Sequence, residues 1–274
     1  MKVINIKNVV IWALVLINVF FLVFFLWGIY SDRAEKTETL RSIGDLFAGS
    51  GVEIDLKGIR EGAALQEYTV TRVLEDERTL AEALLGATAR VDEGEIFTYT
   101  GDKGKAVFWS GGEFSFTFAS GAYPAGGDAA GTAKKLLRVM NIDTAAAVTA
   151  EGEQGSETVT AVCAFGGQTV FNCRVRFSFR DGNLGEITGQ HAAAVVPAAD
   201  KADMSSPAAA LISFLSAVKS GERPCTKISA VEPGYYIPAS SSGNGSLRAA
   251  WRIVTDTGIF IVDAVTGKID SSIE

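Results

Sequence analysis

Hydrophobic residues form one long uninterrupted run near the start of the chain, over Val9–Tyr30. This run contains no charged residue, and at about 1.5 Å per residue a helix of its length crosses a bilayer core of about 30 Å. Trp12 and Trp27 lie near its two ends, where aromatic rings favour the headgroup region. The pattern predicts a single uncleaved transmembrane signal anchor over residues 9–30, preceded by a short cytoplasmic tail over residues 1–8.

The charges that flank this run predict its orientation. Lys2 and Lys7 precede it, whereas basic and acidic residues alternate directly after it. Positive charge favours the cytoplasmic side, so we expect a single-pass protein of the cell membrane with a cytoplasmic amino terminus. The rest of the chain is then extracytoplasmic.

Past the anchor the apolar spacing becomes that of a short amphipathic helix. Leu40, Ile43 and Phe47 lie at positions i, i+3 and i+7, and Gly49 follows them. We interpret residues 31–51 as a juxtamembrane stalk helix.

From Asp76 onward the chain repeats one pattern three times, a helix followed by an antiparallel β-meander. Asp76, Asp128 and Ser206 are the predicted N-caps of the three helices. The third helix has the clearest signals, because Pro207 follows its N-cap and Gly221 its last apolar position. Alternating residues between glycine-rich turns predict the strands. These strands are 96–100, 106–109 and 114–118, then 145–150, 158–165, 169–179 and 185–188, and finally 227–237, 247–255 and 259–262.

These elements predict an α+β fold, in which a helix covers one face of each antiparallel meander. We divide the exported chain into a first α+β domain over residues 52–190 and a C-terminal α+β domain over residues 204–274. An Ala-rich connector that contains Pro197 joins the two.

The charge balance excludes one class of partner. The chain has 25 Lys and Arg residues against 32 Asp and Glu residues, and a net charge of −7. Because Lys2 and Lys7 precede the anchor, the exported part is more acidic still. Nucleic acid is therefore not an expected partner.

Three cysteines, Cys163, Cys173 and Cys225, lack the spacing of a disulfide framework or a zinc site. We expect three buried thiols, with a single disulfide as the alternative. A two-residue turn at Gly166-Gly167 would put Cys163 and Cys173 on opposite faces of their hairpin, which argues against a disulfide between them.

The residues that catalysis needs are scarce. His191 is the single histidine, and no nucleophile elbow, zinc-binding helix motif or phosphate-binding loop occurs in the sequence. We therefore predict a protein that is not an enzyme, with no catalytic residue, metal ligand or cofactor.

One polar residue lies in the middle of the predicted anchor. An amide in hydrocarbon needs a hydrogen-bond partner, and an interhelical bond of this kind is worth about 0.6–2 kcal/mol. Asn18 shares a helical stripe with Leu14, Leu22 and Phe25, and this stripe is a candidate interface with another transmembrane helix. Alternatively, the Asn18 amide bonds to the backbone of its own helix.

Two stretches carry a resemblance to a known family. The segment Leu16–Phe20, with the later Gly51–Ile54, resembles the start of YycI/YycH-type two-component regulatory proteins of Gram-positive bacteria. The segments Ala250–Ile253 and Val262–Ile269 are similar to the last meander of that family and to PepSY-type domains. The candidate residues of this C-terminal motif are Trp251, Arg252, Asp263 and Gly267.

The resemblance implies a non-enzymatic, membrane-anchored accessory protein. Family members associate with a sensor histidine kinase of the WalK (YycG) type that controls cell-wall metabolism, and a second YycH-like regulator is a further partner. The alternative is a PepSY-like extracellular module that binds or inhibits a peptidase or binds a peptide. Such a module should show a groove lined by exposed aromatic residues of a meander, such as Tyr235, Tyr236 and Phe260.

Overall fold

A computed structural model describes residues 14–22, 24, 38–62, 65–145, 149–153, 155–190, 194–198, 204–238 and 245–270. Residues 14–22 and 24 are helical. His191 and Phe25 lie outside the described residues.

The first helix after the predicted anchor packs into the protein. This helix, α1, spans residues 38–48, and its Ile43 and Phe47 are buried in the main core. The apolar face of α1, in the segment that the sequence predicts as a stalk, packs against the core of the α+β fold. Two short strands follow, β1 (Glu53–Ile54) and β2 (Tyr68–Thr71), with a single turn of 3-10 helix between them.

The first repeat consists of one helix and four strands. The helix, α2 (Leu74–Leu85), begins two residues before the predicted N-cap Asp76, which lies in its first turn. Val73 is the N-cap and makes no side-chain capping bond, so the prediction of Asp76 as the cap was wrong. The strands are β3 (Ala89–Glu93), β4 (Ile96–Gly101), β5 (Gly104–Phe108) and β6 (Glu113–Phe118).

The second repeat has the same order of elements. Its helix is α3 (Ala129–Val139), and the Oδ1 atom of the N-cap Asp128 accepts a hydrogen bond from the Gly131 amide at 2.7 Å, as predicted. The strands are β7 (Thr149–Glu153), β8 (Ser156–Phe165), β9 (Gln168–Arg180) and β10 (Asn183–Gln190).

The third repeat follows strand β11 (Ala194–Pro197). Its helix, α4 (Pro207–Lys219), begins as the sequence predicts, because the Ser206 hydroxyl accepts a hydrogen bond from the Ala209 amide at 3.2 Å. The strands are β12 (Lys227–Tyr236), β13 (Gly245–Thr255), β14 (Ile259–Asp263) and β15 (Ile269–Asp270).

The strands of the described residues join in one sheet that is mainly antiparallel. The meanders of the first two repeats pair through β6 and β10, which gives the order β7-β8-β9-β10-β6-β5-β4-β3. The third meander joins this array where Tyr235 of β12 pairs in parallel with Val170 of β9. The predicted α+β class with antiparallel meanders is therefore confirmed.

Two early strands extend the third meander. β1 pairs in parallel with β12, and β2 lies between β11 and β13. The same edge of β13 thus pairs with β2 at Gly245–Leu247 and with β14 at Ala250–Val254. One continuous cluster of buried side chains runs from α1 through all three repeats.

Candidate functional site

The predicted membrane stripe is described in part. The large apolar side chains of the helical residues 14–22 are exposed, from 46% for Val15 to 71% for Leu16, and Leu14 and Leu22 belong to this set. The Asn18 Nδ2 atom donates a hydrogen bond to the Leu14 carbonyl at 2.8 Å. The Asn18 amide thus bonds within its own helix, which is the second of the two alternatives from the sequence. Among the described residues, no helix is long and apolar enough to cross a membrane.

The C-terminal motif residue Trp251 lies in the core beneath the third meander. It is 1% exposed, and its indole nitrogen donates a hydrogen bond to the Ser205 carbonyl at 3.0 Å. The ring also packs against Gly62, where a Cβ atom would lie 3.1 Å from the ring carbon Cη2. Trp251 therefore fastens both the start of α4 and the segment before β2 to the meander.

Arg252 lies on the opposite face of β13. Its Nε atom donates a hydrogen bond to Glu232 Oε2 at 3.1 Å, and its Nη2 atom contacts the same oxygen. Arg60 adds a second cation to this carboxylate at 3.4 Å, and the Arg252 guanidinium lies 5.4 Å from the centre of the Phe171 ring. A partly desolvated cation over an aromatic face is attractive, so Arg252 connects the third meander to β9.

Asp263 is a buried carboxylate at the end of β14, with 2% of its surface exposed. Its Oδ1 atom accepts hydrogen bonds from the amides of Val265 at 3.0 Å and Thr266 at 2.7 Å. Its Oδ2 atom accepts one from the Tyr236 hydroxyl at 2.8 Å and one from Arg248 Nη1 at 3.4 Å. The carboxylate therefore fixes the turn after β14 and ties β14 to both preceding strands.

The hydrogen bonds of this cluster decide its protonation. Burial alone would raise the pKa of Asp263, but the bonds from the Thr266 amide and the Tyr236 hydroxyl outweigh it and the pKa is lowered. Burial, with the bond to Asp263, raises the pKa of Tyr236. The carboxylate is thus charged and the phenol protonated at neutral pH, which is the state that the hydrogen bond between them requires.

Gly267 completes the turn that Asp263 begins. Its φ is +69°, and its amide donates a hydrogen bond to the Asp263 carbonyl at 2.9 Å. A Cβ atom at this position would lie 2.9 Å from the Ser213 hydroxyl of α4. The turn therefore needs glycine for its backbone conformation and for its close approach to the helix.

The motif residues thus divide between the two faces of the meander. Trp251 and Gly267 contact the α4 side, whereas Arg252 and Asp263 lie on the other face with Phe171, Tyr236, Ala250 and Ile261. The structure gives all four motif residues internal bonds or packing contacts. Tyr235, Tyr236 and Phe260 are only 4%, 6% and 6% exposed, so they do not line an open groove.

The sequence predicted the hairpin that carries two cysteines, but not the bulge in its second strand. The turn at Gly166-Gly167 has two residues, as predicted, with Ala164 paired to Thr169. Val162, however, pairs with Arg174, so four residues of β9 oppose one residue of β8. This bulge reverses the side-chain alternation, and the prediction that Cys163 and Cys173 lie on opposite faces was wrong. The prediction of three buried thiols is confirmed for Cys163, Cys173 and Cys225.

Both hairpin thiols line a cavity of about 620 Å³ between α2, the end of α3 and the strands. Its wall includes Leu80, Met140, Cys163, Phe165, Cys173 and Ile237. A volume of this size is in the range of small-molecule sites. Among the described residues, no group of three or more His, Cys, Asp or Glu side chains is arranged to hold a metal ion.

No protein-family model matches the chain, and no curated relative matches it. Two solved structures are similar to it in part. An uncharacterized protein from Eubacterium rectale has a TM-score of 0.49 and 11% identity, over 81% of this chain and 90% of that one. The C-terminal domain of YpeB from Bacillus megaterium has a TM-score of 0.33 and 13% identity, over 75% of this chain and 100% of that one.

Proposed function

We propose that this protein is a non-enzymatic, membrane-anchored accessory regulator of a sensor histidine kinase of the WalK (YycG) type. The observation that carries the proposal is the exposed apolar helix at residues 14–22, which is part of the same chain as a folded α+β domain. Each large aliphatic or aromatic side chain loses about 1.5–3 kcal/mol when it remains in water rather than in an apolar environment. Lipid and the helices of a membrane partner are surfaces that would cover it.

The motif that resembles YycI/YycH-type proteins supports a binding role over a chemical one. Asp263 is the buried carboxylate of the C-terminal motif, and it accepts hydrogen bonds from two backbone amides, a phenol and an arginine. Catalysis instead requires a group aimed at a substrate, with a pKa close to the working pH. The hydrogen bonds hold the pKa of Asp263 below its ordinary value, so it is a weak proton acceptor at neutral pH.

The second function that the sequence suggested is a PepSY-like module for a peptide or peptidase. The expected groove would use Tyr235, Tyr236 and Phe260, and these side chains are buried. These side chains make their contacts within the fold. The Tyr235 hydroxyl, for example, donates a hydrogen bond to the Gln66 carbonyl at 3.0 Å. This burial favours the regulator over the peptide-binding module.

Co-purification from membranes tests the proposal. Tagged full-length protein is captured in mild detergent beside a variant whose residues 9–30 are replaced by an unrelated transmembrane segment. We expect mass spectrometry to identify a sensor histidine kinase with the parent and to find it depleted with the exchanged segment. If the parent captures no kinase, or captures a secreted peptidase in its place, the regulator proposal fails.

A point substitution tests the stripe itself. Asn18→Leu should weaken kinase capture by about 3-fold to 30-fold, the range for the loss of one interhelical hydrogen bond. The matched control is Phe20→Leu, because two residues further along the helix the side chain points to the opposite side. If Asn18→Leu captures as much kinase as the parent, Asn18 makes no contact with the partner. Its amide then serves only to bond the Leu14 carbonyl of its own helix.

A further inference from the structure

The bulge in β9, where four residues oppose one residue of β8, brings two thiols together. Antiparallel pairing relates Val162 to Arg174, the register then breaks, and Cys163 next to Val162 has its thiol within hydrogen-bonding reach of Cys173 next to Arg174. Directly opposed residues of an antiparallel pair have Cβ atoms about 4.5–5.5 Å apart, close to the 3.5–4.5 Å of a disulfide. Both side chains are buried, at 5% and 4% exposure, and both are thiols. The hairpin therefore holds a dithiol that needs little movement to close.

The two thiols have different surroundings. Cys173 Sγ lies 3.1 Å from the Gln190 carbonyl, to which it donates its hydrogen. The same hydrogen can turn toward Cys163, and this hydrogen bond lowers the pKa of Cys163 although burial opposes it. The bond to Cys163, together with burial, raises the pKa of Cys173. Cys163 is therefore the better nucleophile of the pair, since the thiolate is the reactive form.

The cavity gives the pair a route to solvent. Cys163 and Cys173 both line it, and its wall also includes Thr79, Ala83 and Asn141, which are exposed residues of α2 and of the turn after α3. A small molecule that enters between these two helices can thus reach the sulfur atoms. Cys225 is also buried, but it is not part of this wall.

We infer that Cys163 and Cys173 form a redox-active pair that closes to a disulfide by exchange with a small-molecule disulfide in this cavity. The Cys163 thiolate attacks one sulfur of the incoming disulfide, whose S–S bond breaks and releases one thiol. The resulting mixed disulfide is attacked at Cys163 Sγ by the Cys173 thiolate, which releases the second thiol. The protein loses two hydrogens and two electrons, and the small disulfide gains both as two thiols.

The position of the pair gives the reaction a structural consequence. The bulge that ends at Cys173 also carries the residues that join the second repeat to the third. Val170 pairs with Tyr235, and Asn172 exchanges two hydrogen bonds with the backbone of Ile237, at 2.6 and 2.9 Å. A disulfide closes the loop that contains these residues, so oxidation restrains the joint between the repeats.

The test uses full-length protein in detergent with bis(2-hydroxyethyl) disulfide as the probe. After reaction, free thiols are alkylated in urea and peptides are identified by mass spectrometry. We expect a Cys163–Cys173 cross-link that lowers the mass by two hydrogens, while Cys225 is alkylated. Cys225→Ser, the matched control, should give the same cross-link. In Cys173→Ser a mixed disulfide should accumulate on Cys163, whereas Cys163→Ser should leave Cys173 unmodified.

Three outcomes would overturn the inference. One is that native protein leaves all three thiols unreacted while protein unfolded in urea reacts at each of them. Another is modification of Cys225 before the pair. The third is a mixed disulfide that accumulates on the unsubstituted protein without closure to the cross-link. Thermal unfolding of each variant, followed by circular dichroism, verifies that the substituted proteins are folded.

Discussion

Replacement of Asp263 is the sharpest test of the C-terminal motif. Asp263→Ala removes an acceptor of four hydrogen bonds and leaves the Tyr236 hydroxyl and two backbone amides without this partner. The Arg248 contact adds little, because this side chain is 42% exposed and the distance is 3.4 Å. Each buried donor that is left without a partner costs about 1–3 kcal/mol, so the phenol and the two amides together amount to at least about 3 kcal/mol. We expect that loss in the free energy of unfolding.

Two smaller substitutions separate the parts of this loss. Tyr236→Phe removes the hydroxyl alone and should cost about 1.5–3 kcal/mol, the net value of one hydrogen bond to a charged group. Asp102→Asn, in the exposed turn between β4 and β5, is the matched control and should change stability by less than about 0.5 kcal/mol. Equilibrium unfolding in urea at pH 7, followed by tryptophan fluorescence, measures all three variants.

The lowered pKa of Asp263 predicts that the stability of the fold decreases at acidic pH. The pKa of Asp263 is lower in the folded protein than in the unfolded chain, where it is about 3.9. Its contribution to stability is therefore present above about pH 4 and is lost as the pH falls through the folded pKa. Asp263→Asn cannot titrate, so its stability should decline less than that of the parent between pH 5 and pH 2. An Asp263→Ala loss below about 1 kcal/mol, or identical acid profiles, would refute this account.

Four further substitutions, one of them a control, test other parts of the fold by urea unfolding. Glu77→Ala should cost about 3–5 kcal/mol, because Arg72, 2.5 Å from Glu77, is itself largely buried, while Arg78→Ala in an exposed pair should cost less than about 1 kcal/mol. Gly267→Ala should cost at least about 1–2 kcal/mol, since alanine must adopt a φ of +69° beside α4. Gly44→Ala should stabilise α1 by about 0.5–1 kcal/mol, because its Cβ would meet only side-chain atoms, at 3.7 Å.

The sequence predicted the elements whose signals are local. Ser206 with Pro207, and Asp128 in the second repeat, begin helices because each cap bonds to an amide three residues or fewer into the helix. The strand Phe114–Phe118 alternates inward and outward as its sequence does. Repetition of one pattern along the chain was therefore enough to indicate the α+β class.

Non-local features escaped prediction for physical reasons. All five residues of β3 are exposed, so no alternation marks the strand, and within the described part of the chain β3 pairs only with β4. The bulge in β9 arises where β12 and the Asn172 side chain hold the strand from outside the hairpin. The sequence of the hairpin alone contains no signal for either contact. The proximity of Cys163 and Cys173 depends on the bulge, so the sequence could not predict this pair of thiols either.

The pairing of β1 with β12 and of β2 with β13 determines how the protein can be divided for experiments. A recombinant fragment that starts near residue 204 retains the motif Trp251–Gly267 but loses β1 and β2. Its β12 would then present unpaired backbone groups at Lys227–Ile228, and its β13 would do so at Gly245–Leu247. Exposed strand edges pair readily with other chains. Isolated C-terminal fragments should therefore self-associate, whereas fragments that begin before α1 should be monodisperse enough for crystallisation.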